Sequence, residues 1–323
     1  MRYVFFDIEC ACVYKYTAKI CAFGYTVTDE NYNVLAKEDI LINPKGKFHL
    51  TDRKGSDGIV LPYEYDEFKS RPCFPAVYGK IKALLEDPDA IVLGHATHND
   101  VNYLNLETKR YRLPSFRFCY HDTQFFYMNT ESEFTRQCGL GAMAEQLGVE
   151  FVPHRAADDA YATMRVCDAL CKREGTDVRG LCEKYKIRPG KISSFRISQP
   201  DSEGLRAYYK KRDEEHKKRA AARETFFNYV NRNNYRKKKS GANLGKRFCF
   251  SKEIENNVPF SVELAGAVFA SGGKYTSRPQ ECDIYIAEEE GGKRYLNAVE
   301  NGARFVPLNE AADLIRGAET AGV

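Results

Sequence analysis

The chain begins MRYVFFDIECACV, an apolar run that carries Asp7 and Glu9 one residue apart. Such a run reads as a β-strand, and alternate side chains of a strand share a face, so both carboxylates point to one side. A carboxylate taken out of water without a cation or a donor is costly. The strand therefore constrains everything built around it: whatever covers that face must bring positive charge to two acids.

Downstream, the patterning supplies the rest of a sheet. KICAFGYTVTD and VLAKEDILINP read as second and third strands, forming an antiparallel meander with turns at DENYN and NPKG. A Gly-, Pro- and charge-rich loop over 45–72 follows, then a helix in PAVYGKIKALLED, a buried strand in AIVLGHA and a helix in NDVNYLNLETKRY. FRFCYHDTQFFYMN contains another strand, and GLGAMAEQLGV and DDAYATMRVCDALCKRE read as helices. A meander that passes into alternating strands and helices predicts an α/β domain with a mixed sheet flanked by helices, over 1–172.

Two more acids lie where these elements end, the usual place for a site in such a sheet. Asp100 opens the helix after IVLGHATHN, and Asp159 opens the Ala-rich helix after PHRAAD, five residues beyond His154. Four convergent carboxylates call for neutralisation, and two divalent cations supply it. Hard oxygen ligands favour Mg2+ or Mn2+ over zinc. Paired cations of this kind suit in-line displacement at a phosphodiester, and a neighbouring histidine suits proton transfer from the attacking water. The eleven cysteines form no pair of Cys-x2-Cys knuckles, so a structural zinc is not expected and most of them read as small buried hydrophobes.

FFDIECACV, VLGHATHNDVNYL and HRAADDAYATMRV resemble the three motifs of the DEDD 3′–5′ exonucleases of DnaQ-like, RNase H-like fold. His-x-Ala-x-x-Asp-Ala matches the histidine-bearing DEDDh subgroup, which includes polymerase proofreading subunits and RNase T. The resemblance covers about 170 residues. It implies Asp7, Glu9, Asp100 and Asp159 as metal ligands and His154 as general base, with the spacing from His154 selecting Asp159 over Asp158. His95 matches the usual histidine of the second motif, but Ala96 stands where Asn commonly follows. Cys10-Ala11 stands where Thr-Thr or Thr-Gly often follows the first acids. Cys10, Ala11 and His95 thus fall near where the family places the 3′-terminal nucleotide, and they bear on substrate preference.

Beyond the first domain the charge balance shifts. From 172 to 245 there are 21 Lys and Arg against 9 Asp and Glu, a balance of +12, while the other residues together carry −8. This predicts a basic, partly helical linker over 173–245 with a polyanion partner, nucleic acid above all. Tyr208, Tyr209, Phe226, Phe227 and Tyr229 interleave with the cations and suit either nucleic acid or docking on a neighbouring domain. Residues 246–323 reset to a small α/β domain: strand RFCFS, helix VPFSVELAGAVFASGG, strand CDIYIA, helix KRYLNAVENG, strand ARFVP and helix LNEAADLIRG. That order, with Gly272-Gly273, looks like a BRCT domain, although the chain lacks the family's usual tryptophan. The resemblance implies a possible phosphate pocket at Ser251, Gly273 and Lys293, and a replication or repair protein as partner.

Together these features predict a metal-dependent 3′–5′ exonuclease acting on single-stranded or frayed DNA. The alternatives are an exoribonuclease of the RNase T or oligoribonuclease type and a non-catalytic BRCT adaptor. No apolar run approaches the roughly 18 residues of a membrane span, and no targeting signal is expected. The expected location is cytoplasmic, or nuclear in a eukaryote.

Overall fold

A computed structural model describes residues 1–14, 16–46, 60–149, 153–235 and 240–311. Its contacts divide the chain into two units, Met1–Tyr209 and Lys210–Val323. In the first, β1 (Arg2–Tyr14) pairs antiparallel with β2 (Thr17–Asp29), which pairs in turn with β3 (Val34–Leu41). On its other edge β1 pairs in parallel with β4 (Ala90–Gly94), followed by β5 (Phe118–Asp122), β6 (Gly190–Ser193) and β7 (Arg196–Ser198). The result is a seven-stranded mixed sheet in the order β3-β2-β1-β4-β5-β6-β7, the expected mixed sheet flanked by helices.

Strand periodicity explains the two layers. Val4, Phe6 and Ile8 face the layer of α2 (Phe74–Leu85) and α3 (His98–Arg110), which a short α1 (Tyr65–Lys69) precedes. Tyr3 and Phe5 face the layer of α4 (Thr123–Thr130), α5 (Leu140–Gln146), α6 (Ala156–Glu174) and α7 (Val178–Lys184). Phe5 and Phe6 are both fully buried, each contributing about 1.5–3 kcal/mol. Asp7 and Glu9 continue the odd-numbered face, so they emerge under the start of α6, beyond its apolar body.

Two local devices shape that end of the sheet. β4 stops pairing with β1 at Phe5↔Leu93, while β1 runs on, so the edge of β1 beyond Phe5 is open to another partner. β1 and β2 also slip register around Cys10, placing Cys21 and then Ala11 as extra residues; such bulges re-aim the side chains beside them. Opposite Asp7 stands Gly24. A Cβ there would lie 1.9 Å from the Ala156 carbonyl carbon and 2.1 Å from the Ala157 nitrogen. The missing side chain is what lets the first turn of α6 rest on the strands.

The stretch expected to open the basic linker is structured differently. Its α7, β6 and β7 belong to the first unit, with β6 and β7 extending the main sheet. The linker pattern held its charge on exposed positions while Val178, Leu181, Ile187 and Ile192 are buried, and these few apolar residues decided the outcome. α8 (Glu203–Asn234) follows, exposed at every position from 209 to 221. The basic run 236–239 lies outside the described residues, as do 47–59 of the expected loop.

The second unit contains β8 (Arg247–Phe250), α9 (Lys252–Asn256), α10 (Val258–Ala270), β9 (Lys274–Tyr275), β10 (Ile284–Ala287), α11 (Gly292–Val299) and β11 (Arg304–Pro307). All neighbours in its sheet, ordered β11-β10-β8-β9, are parallel. Phe226 and Val230 of α8 are buried in its core with Phe248, Phe250, Leu264 and Ile286, so the aromatic Phe226 serves packing. Fully buried Glu255 is held by Arg294 and Tyr275 and lies 3.6 Å from Arg223. Such partners offset the cost of burying a carboxylate. The last helix expected at 308–317 lies from 312 onward outside the described residues.

The Gly24 contact makes a direct prediction. Gly24→Ala should lower the unfolding midpoint of the protein by displacing α6, an overpacking cost of about 1–3 kcal/mol or more. Gly79→Ala in the middle of α2, where nothing lies within 4 Å of the added carbon, should raise it slightly, because Ala favours helix by up to about 1 kcal/mol. Equal effects of the two changes would contradict the role given to Gly24.

Candidate active site

Glu9 of β1, His154 and Asp159 of α6 each place one ligand atom within 4.8 Å of the others. Asp159 is buried, and its Oδ2 accepts the His154 backbone N–H at 2.9 Å. That bond closes the turn before α6 and holds His154 in the left-handed region at φ 71°, a conformation His tolerates better than most side chains. Asp100, in the first turn of α3, comes from the opposite layer. It reaches β1 where β4 no longer covers the edge, and accepts a hydrogen bond from the Ile8 amide between the two strand acids.

The electrostatics show how tightly these groups converge. Burial, then the Asp159 and Asp39 carboxylates, push Asp7 well above the usual range. Burial, then Asp7, Asp159 and Asp39, push Glu9 up to about 9. Asp100 is raised by burial and by Asp7, Glu9 and Asp122. Burial raises Asp159 to about 7 against the pull of the His154 amide. Burial raises all four, Asp159 adds to Asp7 and Glu9, both of these add to Asp100, and no cation among the described residues lowers them. The donor set, carboxylate oxygens with one imidazole, fits a hard divalent cation.

Other residues hold the elements in place. Asp122 accepts the Ala96 and Thr97 amides at 3.0 and 2.9 Å and the Gln124 amide at 2.9 Å. One carboxylate thereby caps α4 and ties down the turn that leads into Asp100. Tyr63 accepts the Ala156 amide at 3.0 Å and donates to Asp39 Oδ2 at 2.9 Å, and Arg155 lies 3.3 Å from the same oxygen. These bonds tether the start of α6 to β3. Asp158 turns outward to Lys37 at 2.7 Å, which separates it from Asp159.

Sequence reasoning missed Gly24, Asp39, Tyr63, Arg155 and Asp122. Only Gly24 left a signal, a lone glycine inside an apolar strand.

The other expected residues are placed less centrally. Cys10 packs partly buried against the core. Ala11 is buried among Cys21, Ala22, Leu61 and Tyr63. The ring nitrogens of His95 lie 3.1 Å from the Thr123 hydroxyl and 3.1 Å from the Cys138 carbonyl, and burial lowers its pKa to about 4. Ser251, Gly273 and Lys293 do not form one pocket. Gly273 precedes Lys274, which pairs with Arg247 at the start of β8. Ser251 follows the other end of that strand, about 13 Å away at strand rise. Its buried hydroxyl caps α9, and Lys293 is exposed.

A family model described as exonuclease, RNase T, matches residues 4–167. Among solved structures, a full-length 3′-exonuclease is 16% identical over 62% of this chain and 91% of its own, with TM-score 0.49. A 3′-exonuclease that recognises the 3′ end of a histone mRNA stem-loop is 15% identical over 62% and 71%, with TM-score 0.47. The nuclease domain of 3′hExo, a DEDDh family member bound to rAMP, is 16% identical over 62% and 97%, with TM-score 0.45. No curated protein matches the sequence. No helix among the described residues is long and apolar enough to cross a membrane.

The raised acids make stability depend on pH. Unfolded carboxylates release their protons near pH 4, whereas folded Asp159 and Glu9 hold theirs to about 7 and about 9. Folding therefore takes up protons in that window, and stability falls as pH rises through it. In EDTA, the wild-type unfolding midpoint should drop between about pH 5 and 9 more steeply than that of Asp159→Asn. Mg2+ or Mn2+ should restore it, and more so at the alkaline end. Parallel curves for the two proteins would contradict the mutual repulsion.

Proposed function

We propose that this chain, which belongs to the exonuclease family whose model spans residues 4–167, removes nucleoside 5′-monophosphates from 3′ ends of DNA that is single-stranded or frayed. The observation that carries the reading is the convergence of Glu9, His154 and Asp159, with the Asp159 charge raising Asp7 and the Asp7 and Glu9 charges raising Asp100.

In this reading Asp7, Glu9, Asp100 and Asp159 hold two divalent cations, Mg2+ or Mn2+. When bound, such cations supply the positive charge that stabilises the attacking and leaving oxygens of an in-line displacement. His154 accepts the proton of the attacking water, its position held through the Asp159–His154 backbone bond. Asp122 and the Tyr63–Asp39–Arg155 set act only through the elements they tether.

The exposed cations of α8 hold the strand through its phosphates by counterion release, without reading sequence. We read the second unit as BRCT-like. What supports the reading is a small sheet with all neighbours parallel and helices between its strands. Its proposed partner is a protein of replication or repair, and this association is what favours DNA over RNA.

The test uses 5′-labelled DNA and RNA oligomers of one sequence with Mg2+. Wild type should shorten DNA in one-nucleotide steps, faster than RNA. Asp7→Ala should abolish the ladder, and His154→Gln should slow it about 10²–10⁴-fold, the usual worth of a general base. Faster cutting of RNA would make the protein an exoribonuclease. A full ladder in Asp7→Ala, or none in wild type on either polymer, would overturn the reading.

A further inference from the structure

A cavity of about 310 Å3 in the first unit opens beside the turn that leads into Asp100. Ala96 of that turn and Asn99 of α3 form one side, and Phe125 and Met128 of α4 another. Gln199 and Pro200 after β7, with Leu205 and Tyr209 of α8, close it. This last wall lies beyond residue 167, where the family match ends.

The chemistry of the lining discriminates between ligands. No lysine or arginine lines the cavity. The carboxylate of Asp122 is spent on backbone amides. A phosphate would find no lysine or arginine here. What the cavity offers is apolar and aromatic surface with the amide residues Asn99, Gln137 and Gln199 in its lining, while the Gln124 amide donates to the Cys138 carbonyl at 2.8 Å. Side-chain amides supply donors and acceptors together, the complement of the edge of a nucleobase, and an aromatic ring supplies a stacking face. Tyr209, 44% exposed, is among the lining residues, with its ring edge-to-face with Tyr208. The volume is at the small end of ligand sites, room for one planar base and not for a duplex.

We propose that this cavity is a subsite for a single unpaired nucleobase of the strand whose 3′ end lies at the acidic centre. The inference rests on the nuclease reading for its choice of strand. The subsite selects frayed or single-stranded ends, because a paired base cannot enter it.

The test is binding of the full-length protein, with Mg2+, to a series of oligonucleotides carrying a cleavage-resistant phosphorothioate at the 3′-terminal linkage. 2-Aminopurine is moved one position at a time from the 3′ end. One position should show strong fluorescence quenching. Tyr209→Ala should relieve it and weaken binding about ten-fold, the scale of one base stacked on an aromatic ring. Tyr209→Phe should keep both. No binding, or a Tyr209→Ala profile and affinity equal to wild type, would overturn the subsite. Cleavage of the unmodified oligonucleotide is scored separately, so a protein that quenches but does not cut would sink the catalytic reading and leave the subsite standing.

Discussion

The repulsion among carboxylates gathered at the open end of β1 is the constraint on which the first unit depends. Asp7 and Glu9 occupy the face that, two residues earlier, carries Phe5 into the core under α6. Asp159 arrives from the first turn of that helix and Asp100 from the opposite layer. No cation among the described residues neutralises them, and each is held above its usual range, by burial first. A fold that spends stability to assemble such a centre has a cation as its natural completion.

The structure around the acids reads as the means of holding them together. Gly24 lets α6 come down onto β1 and β2. Asp122 ties the β4–α3 turn to the start of α4, which sets where Asp100 begins. Tyr63 links the first amide of α6 to Asp39 on β3. Each contact joins residues far apart in sequence, and each acts on an element that carries an acid. The four carboxylates thus sit on rigid helices and strands, where position is set by packing.

That distinction accounts for what was legible in the chain. The acids, the strand that carries two of them and the helices that open with the others follow from local periodicity, which one sequence displays. Asp159 was separable from Asp158 by the motif's spacing, and the outward ion pair of Asp158 with Lys37 gives the physical counterpart. The tethers through Asp39, Tyr63 and Asp122 were invisible, because nothing local marks an acid in β3 as a partner of a tyrosine 24 residues on. The expected linker hid two sheet strands because its exposed lysines and arginines outweighed a few buried aliphatics in any window. Ser251 and Gly273 looked adjacent by order of elements, yet register sets them at opposite ends of β8.

The central claim is that Asp7, Glu9, Asp100 and Asp159 form one centre for divalent cations. It is tested most directly by titrating the metal-free protein with Mn2+ and following the free-ion signal by electron paramagnetic resonance. Wild type and Asp158→Asn should take up Mn2+ alike, to as many as two ions per chain, and Asp159→Asn should lose most of that uptake. Equal uptake by Asp159→Asn and wild type, or none by wild type, would contradict the account.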